Sequence, residues 1–158
     1  HFDFDCIYRK SRNSVIDYIS LRRREALYGL AIERSDMRTT VRQLRQFRTI
    51  WYAADQDNGR RHSVFAPFFG IPAATINVTS RLATISGSPV IFMSHFRDES
   101  DYSWSVRLRR VENYPTGNEV ADATLMNAVI EHEIRSDPAQ YLWVHRRFKT
   151  MPEGTRNY

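Results

Sequence analysis

Apolar residues recur at helical spacing in five stretches of the chain, most of them preceded by a residue that caps helices. Asn13 or Ser14 is expected to cap the first helix. Asp36 is expected to cap the second, in which arginines flank an apolar face. The pair Asp137-Pro138 has the residue order of a helix start and predicts the last helix. The predicted helices occupy residues 13–24, 36–48, 75–86 and 118–135 and a segment that begins at residue 137.

Short runs of β-branched and aromatic residues between these helices predict strands. Residues 49–54 show no polar alternation, which is typical of a strand covered on both faces, and they lead into a polar turn at 55–59. Ligands of open α/β sheets bind just beyond the carboxyl end of a strand, so this turn is a candidate binding position. Other strands are predicted at 30–32 and, as a hairpin, at 89–96 and 103–111.

The alternation of strands with helices predicts an α/β fold. We expect a layered sheet of mostly parallel strands, with flanking helices and one hairpin. A chain of 158 residues has the length of one domain. Because no internal repeat or linker divides it, residues 1–158 are expected to form a single domain.

Arginine carries the positive charge of the chain. All but two of the 23 Lys and Arg residues are arginines, the exceptions being Lys10 and Lys149, and the formal net charge is +5. Guanidinium groups bind phosphate and carboxylate through two parallel hydrogen bonds, so this composition favours anionic partners. A codon bias of the whole genome would give the same arginine excess, and composition alone leaves both explanations open.

Cysteine content and hydropathy exclude several classes of site. Cys6 is the only cysteine, which excludes an internal disulfide and a cysteine-based zinc site, and we expect it to be a small buried apolar residue. The longest apolar stretch, residues 64–74, contains Pro67 and Pro72 and is far shorter than the roughly 20 residues of a spanning helix. No membrane span, metal site or cofactor is therefore expected in this sequence.

One pair of residues has the spacing of an oriented general base. His132 and Asp137 form a His-x4-Asp pair, in which a carboxylate orients an imidazole that deprotonates a hydroxyl. Asp137 precedes Pro138, however, and is better explained as a helix cap. We therefore assign no catalytic residue in this chain.

An apolar block with cations beside it follows the polar turn. It is too irregular for a strand and too interrupted by proline for a helix. Apolar loop residues next to cations are what a phospholipid-like ligand or a membrane interface requires. The same residues suit a module that stacks the bases of single-stranded nucleic acid, so both readings stay open at this point. The block contains Phe65, Pro67, Phe68, Phe69 and Gly70, and Arg60, Arg61 and His62 precede it.

Four sequence blocks stand out by their order and spacing: WYAADQD at 51–57, SVFAPFFG at 63–70, QYLWVHRRFK at 140–149 and PEG at 152–154. Together with Tyr8-Arg9 and residues 13–24, they closely resemble the bacterial lipid A biosynthesis acyltransferases. The resemblance covers nearly the whole chain.

The resemblance implies acyl transfer from acyl-carrier protein to a hydroxyl of a lipid A precursor, which is a phosphorylated and acylated glucosamine disaccharide. It places this reaction at the cytoplasmic face of the bacterial inner membrane, so a membrane surface is a further expected partner and nucleic acid is not. Both substrates are acidic, in agreement with the arginine excess. The expected substrate-binding residues are Asp55, Gln56, Phe68, Phe69, Gly70, Arg9, Arg146, Arg147 and Lys149.

One departure from the family pattern limits these expectations. The family's catalytic His-x4-Asp/Glu lies upstream of the Tyr8-Arg9 block, after an N-terminal membrane anchor, and this sequence has neither there. We therefore expect the carboxyl-terminal half of an acyltransferase, an incomplete domain that is nearly inactive alone; the start at His1 rather than Met agrees with this. Pro152-Glu153-Gly154 also spells the acceptor-phosphate motif of the related glycerolipid acyltransferases, but there the motif follows a core strand, a place that the Asp55-Gln56 block already occupies here, so we do not transfer its role. A glycerolipid acyltransferase and a module that binds single-stranded nucleic acid are the two alternatives.

Overall fold

The computed structural model describes residues 3–152, which fall into two compact units. Unit 1 contains the chain up to Ala53 together with Ile85–Ser88. Unit 2 contains Ala54–Thr84 and the chain from Pro89 onward. The expectation that residues 1–158 form one partial domain stays a prediction.

Unit 1 is built on a parallel three-stranded sheet in which the first strand is central. In the order of the sheet, the strands are β2 (Ala31–Glu33), β1 (Asp5–Tyr8) and β3 (Ile50–Trp51). Cys6 of β1 pairs with Ala31 on one side and Trp51 on the other and is 3% exposed, which confirms its expected burial. The strand expected at 49–54 with both faces covered is wrong, because β3 is only two residues long and Trp51 is exposed.

Both helices of unit 1 begin at the residues that the sequence predicts. The Asn13 side chain accepts hydrogen bonds from the first turn of α1 (Ser14–Leu27). The Asp36 carboxylate does the same for α2 (Met37–Arg45), where it accepts from the Thr39 N–H at 3.0 Å. Both caps are therefore confirmed. The apolar side chains that recur at helical spacing along α1 are exposed, namely Val15, Tyr18 and Ile19.

Unit 2 contains two antiparallel hairpins and a long helix. The hairpins are β4 (Ser63–Phe68) with β5 (Ile71–Ile76) and β6 (Ile91–Arg97) with β7 (Trp104–Arg110). The helices are α3 (Val78–Ser86), whose last residues belong to unit 1, and α4 (Glu119–Ser136), which packs against β4. The predicted hairpin and the predicted long helix are thereby confirmed. The apolar core contains Phe68, Ala73, Val111, Met126, Val129, Ile130 and Ile134.

The block at 63–70 is a regular hairpin strand, so the expectation of an irregular segment was wrong. Proline is tolerated because Pro67 pairs with Pro72 in a two-stranded hairpin, where each strand has a free edge that needs no ladder donor. Phe69 and Gly70 connect the strands with φ values of 49° and 77°, the left-handed pair found in type I′ turns.

Two predicted helices are also shorter than expected. Helix α3 begins at Val78 because Thr75 and Ile76 complete β5. The segment after Asp137 contains only the 3-10 turn Pro138–Gln140, and no α-helix follows it in the described residues. The expected layered sheet of mostly parallel strands stays a prediction, since the described strands form one parallel sheet and two antiparallel pairs.

Candidate functional site

The phenylalanines of the apolar block have different environments. Phe68 is 0% exposed and belongs to the core of unit 2, so its ring does not line a surface site as expected. Phe69 is half-buried, with the Arg135 guanidinium 4.8 Å from its ring centre and its N–H bound to a carboxylate oxygen of Glu131. Gly70 is exposed at the tip of the hairpin. This turn lies at the end of β4 that is remote from the 54–60 segment.

Asp57 organises the polar turn that precedes β4. Its carboxylate is 3% exposed and accepts three hydrogen bonds, from the Gly59 N–H at 2.8 Å and from the N–H and hydroxyl of Thr150, both at 2.9 Å. Its own N–H donates to His145 Nε2 at 3.0 Å, which requires that this nitrogen carry no proton. The Asp57 backbone and side chain therefore join the turn to the segment 145–150, more than 85 residues away in sequence.

Arg60 makes a second connection between the same two segments. Its Nη2 donates to the carbonyl oxygen of Pro152 at 2.6 Å and to that of Met151. The guanidinium also lies 5.4 Å from the ring centre of Phe65. Thus the turn at 54–60 and the segment 145–152, which overlap the sequence blocks at 51–57 and 140–149, form one structural element.

Arg147 belongs to this element, and its side chain is buried. It is 3% exposed, and its guanidinium donates to the Ala74 carbonyl at 2.7 Å and the Thr75 hydroxyl at 2.9 Å. It also donates to the Asn127 side chain at 3.2 Å, while its Nε has no hydrogen-bond partner within residues 3–152. Burial lowers the pKa of Arg147, an effect that the negative charges of Asp55 and Asp57 oppose. The expected contact of this side chain with a ligand anion at the surface is therefore replaced by contacts inside the core.

Tyr141 lies close enough to Asp55 for the charge of that carboxylate to affect the pKa of its hydroxyl. Its hydroxyl is buried and, in the described part of the chain, has no hydrogen-bond partner. Burial raises the pKa of Tyr141 to about 12, and the Asp55 charge adds to this rise while Arg147 opposes it. The ring packs edge to face against Trp143 at 4.9 Å between ring centres. Asp55 is itself half-buried, so its charge acts on both Tyr141 and Arg147.

The remaining expected residues of unit 2 face solvent. Arg146 and Lys149 are exposed on either side of buried Arg147 in the chain, and Gln56 is exposed next to Asp55. Exposed cations on a segment held by buried contacts can bind an anion without losing the support of that segment. The Asp55 carboxylate and the Gln56 amide can form hydrogen bonds with a hydroxyl group of a ligand. This arrangement suits a ligand that carries both anionic and hydroxyl groups.

Two expectations concern other parts of the chain. Arg9 lies in unit 1, directly after β1, where its side chain is exposed. Of the turn Pro152-Glu153-Gly154, Glu153 and Gly154 lie outside the described residues.

The His-x4-Asp pair has no catalytic geometry in the described contacts. His132 is exposed on α4, and the Asp137 carboxylate accepts a hydrogen bond from Gln140 Nε2 at 2.6 Å. Residues 3–152 hold no group of three or more His, Cys, Asp or Glu side chains that could bind a metal ion. No helix within that range is long and apolar enough to cross a membrane.

Sequence reasoning missed the residues that support the site. Asp57 carries a recognisable signal, because Asp-Asn-Gly is a turn sequence in which the Asp side chain binds the backbone two residues on. Asn127 carries another, because it stands among the apolar core positions of α4, where a polar side chain needs internal partners. His145 and Thr150 carry none, since their partners are distant in sequence.

Comparison with known proteins gives one family. The family model described as bacterial lipid A biosynthesis acyltransferase matches residues 1–150. The chain is 40% identical over 151 residues to the lipid A biosynthesis palmitoleoyltransferase of Escherichia coli (strain K12), covering 93% of this chain and 48% of that protein.

Two further relatives are also named as lipid A biosynthesis enzymes and match most of this chain. The lipid A biosynthesis lauroyltransferase of Escherichia coli (strain K12) is 34% identical over 150 residues, covering 94% of this chain and 49% of that protein. A lipid A biosynthesis acyltransferase of Haemophilus influenzae is 34% identical over 150 residues, with 93% and 48% covered. The chain thus spans about half the length of the curated relatives it matches.

Proposed function

Since the chain belongs to the bacterial lipid A biosynthesis acyltransferases, we propose that the protein transfers a fatty acyl chain from acyl-carrier protein to a hydroxyl of a lipid A precursor. The observation that carries the proposal is the joining of the 54–60 turn to the 145–152 segment by Asp57 and Arg60. Both segments lie within the match to the family, apart from the last two residues. The names of the relatives, palmitoleoyltransferase and lauroyltransferase, support an acyl chain as the transferred group.

In this proposal the exposed residues of the element contact the substrates. Arg146 and Lys149 bind phosphate groups of the acceptor or carboxylates of the carrier. Asp55 and Gln56 hold polar groups of the glucosamine acceptor. The buried pair Asp57 and Arg147 positions these residues and touches no substrate. Arg9 is proposed as a further contact to the acceptor.

The reaction joins an acceptor oxygen to the acyl carbon. A general base removes the proton of the acceptor hydroxyl, the oxygen attacks the thioester carbonyl, and the C–S bond breaks to release the carrier thiolate. Hydrogen-bond donors near the carbonyl oxygen stabilise its negative charge in the transition state. No residue of this chain is assigned as the base, and we propose that the chain contributes substrate binding and not the His-x4-Asp/Glu pair.

A membrane surface is the third proposed partner, and the β6–β7 hairpin supports it. The pairs Met93–Leu108 and His95–Val106 share one face, and Trp104 extends it. These side chains are exposed, with Leu108 at 55% and Trp104 at 61%. An outward apolar face that contains a tryptophan suits the boundary between headgroups and acyl chains. We propose that this contact is made at the cytoplasmic face of the inner membrane.

The test is an acyl-transfer assay with the natural protein that contains this sequence. Acyl-carrier protein loaded with a radiolabelled acyl chain is offered with a phosphorylated, acylated glucosamine disaccharide or with lysophosphatidic acid, and the lipids are separated by chromatography. We expect label in the disaccharide and none in the glycerolipid. Label only in the glycerolipid would assign the protein to the related acyltransferases instead. No transfer, combined with a salt-dependent affinity for single-stranded oligonucleotides, would support the nucleic-acid-binding alternative.

A further inference from the structure

Helix α2 forms one wall of a groove in unit 1. The groove has a volume of about 630 Å³. Its apolar lining consists of Met37, Val41 and Ile85, of which Met37 is 36% and Ile85 48% exposed. Three arginines of α2, at positions 38, 42 and 45, line the same groove. The groove therefore combines an accessible apolar floor with a row of cations.

The spacing of the cations is that of one helix face. Arg38, Arg42 and Arg45 follow each other at intervals of four and three residues, so their side chains project from the same side of α2. The row extends over about 10 Å at 1.5 Å per residue, close to two turns of a helix. Arg45 is fixed at the rim because its Nη2 donates to the Ile85 carbonyl at 3.3 Å.

These three arginines form no salt bridge within the described structure, residues 3–152. The N-cap carboxylate of Asp36 accepts the capping hydrogen bond from Thr39, and the more distant charges of Arg42 and Arg38 also help to lower its pKa. Among residues 3–152, the Arg42 guanidinium donates to the neutral Thr39 hydroxyl at 3.4 Å. An anionic partner therefore finds three guanidinium groups available for pairing.

We propose that this groove docks an acidic amphipathic helix of a protein partner. The apolar side chains of that helix lie on Met37, Val41 and Ile85, and carboxylates one turn apart pair with the three arginines. The three arginines recur at helical intervals, so they match carboxylates one turn apart on a partner helix, whereas lipid headgroups have no such fixed spacing. The inference rests on the proposed function, in which the acidic acyl-carrier protein is the donor that supplies such a helix.

The experiment measures the affinity of acyl-carrier protein for the full chain by fluorescence anisotropy. The test variant combines Arg38→Glu, Arg42→Glu and Arg45→Glu, and the matched control combines Lys10→Glu, Arg12→Glu and Arg23→Glu at exposed positions elsewhere in unit 1. We expect the test variant to raise Kd at least about tenfold at 0.1 M salt, with a smaller effect at 1 M because salt screens the pairs. The control is expected to change Kd about twofold at most.

A further double variant and a carrier variant distinguish loss of docking from loss of folding. Met37→Ser with Ile85→Ser removes the apolar floor and leaves the arginines, and circular dichroism checks the helix content of every variant. We expect this variant to weaken carrier binding as well, with a smaller dependence on salt. A carrier in which a glutamate of the docking helix is replaced by arginine is expected to restore affinity for the single variant Arg42→Glu.

The outcomes separate this inference from the proposed function. Carrier binding that depends on the groove supports the inference even if the acyl-transfer assay fails. Acyl transfer with unchanged carrier affinity in the triple variant overturns the inference and leaves the function standing. Absence of carrier binding in the unmodified protein also overturns it. Loss of binding to anionic vesicles alone, with carrier affinity unchanged, overturns it in favour of a membrane contact.

Discussion

The guanidinium carbon of Arg147 lies 5.0 Å from the centre of the Phe68 ring, and both side chains are buried. An aromatic face attracts a cation most strongly where water is excluded. The same guanidinium donates to the Ala74 carbonyl and the Thr75 hydroxyl, so it joins the C-terminal segment to β5. The positive charge is thus held by neutral acceptors and a ring, with no carboxylate in ion-pair contact among residues 3–152.

This geometry predicts that Arg147→Lys destabilises the protein. A lysine ammonium cannot reach the separated acceptors at once, because it lacks the planar fork of the guanidinium. We expect a loss of about 1–3 kcal/mol in the free energy of unfolding, measured by urea denaturation. Exposed Arg146→Lys is the control and should stay within about 0.5 kcal/mol of the unmodified protein. A stable Arg147→Lys variant with weakened substrate binding would instead assign Arg147 to the ligand.

The neighbouring arginines also illustrate what sequence reasoning predicts and what it does not. Arg146 and Arg147 are the same residue type in the same block, yet one is exposed and the other 3% exposed. The acceptors of Arg147 lie 20 to 73 positions away, and no local pattern contains that information. The sequence therefore indicated the segment but could not tell which of its cations faces solvent.

Local signals were reliable where the determining contacts are themselves local. The caps at Asn13 and Asp36 involve partners two or three residues away and were predicted correctly. The strand character of β4 was missed because its apolar pattern is irregular, although a hairpin strand with a free edge also tolerates the proline. The strand alternation of β7 is present, but its apolar row, including Trp104, faces solvent.

Tyr141 is expected to titrate well above ordinary tyrosines, with a pKa of about 12. Asp55→Asn should lower this pKa, because the Asp55 charge contributes to the rise, but should leave it above the ordinary value since burial is the larger cause. NMR titration of ¹³C-labelled tyrosines, assigned with Tyr141→Phe, measures both effects. An identical titration in the Asp55→Asn variant would contradict the proximity of the two groups.

The raised pKa of Tyr141 also affects stability in a defined pH range. From about pH 10 to about pH 12 the unfolded chain has lost the proton that the folded protein retains. The free energy of unfolding should therefore fall as the pH rises through this range. Tyr141→Phe should reduce that slope, as measured by urea denaturation at several pH values, and an unchanged slope would assign the loss to other groups.

Asp57→Asn is expected to weaken the contacts between the turn at 54–60 and the segment 145–152. The amide nitrogen would replace one carboxylate oxygen, so it would face either the Thr150 N–H, which now donates to Oδ2, or the Gly59 N–H and Thr150 hydroxyl, which now donate to Oδ1. We expect a cost of about 1–3 kcal/mol in stability. Hydrogen exchange should show faster exchange of the Gly59 and Thr150 amides. The exposed neighbour Asn58→Ala is the control, and equal protection in both variants would contradict the assigned role of Asp57.

Gly29→Ala is expected to destabilise unit 1 through a close backbone approach. An added Cβ would lie 2.5 Å from Nη2 of Arg48 and 3.2 Å from the Phe4 carbonyl oxygen, and it would clash with Oδ1 of Asp5. Asp5 is 1% exposed and pairs with Arg48 at 3.0 Å, so it has little freedom to move. We expect a loss of about 1–3 kcal/mol. The same substitution in an Asp5→Ser background should cost less, and an equal cost would place the strain elsewhere.

Arg146→Ala and Lys149→Ala are expected to raise KM in the acyl-transfer assay without lowering stability. Both side chains are exposed on the segment that Asp57 holds in place, so their removal leaves the buried contacts intact. Loss of one ionic contact worth about 1.4 kcal/mol corresponds to a tenfold rise in KM, with kcat unchanged if the contact is equal in ground and transition states. Measuring KM separately for the carrier and the lipid acceptor identifies the anion that each residue binds. Unchanged KM for both substrates at physiological salt would remove these two residues from the site, while a parallel fall in unfolding free energy would reassign them to structural support.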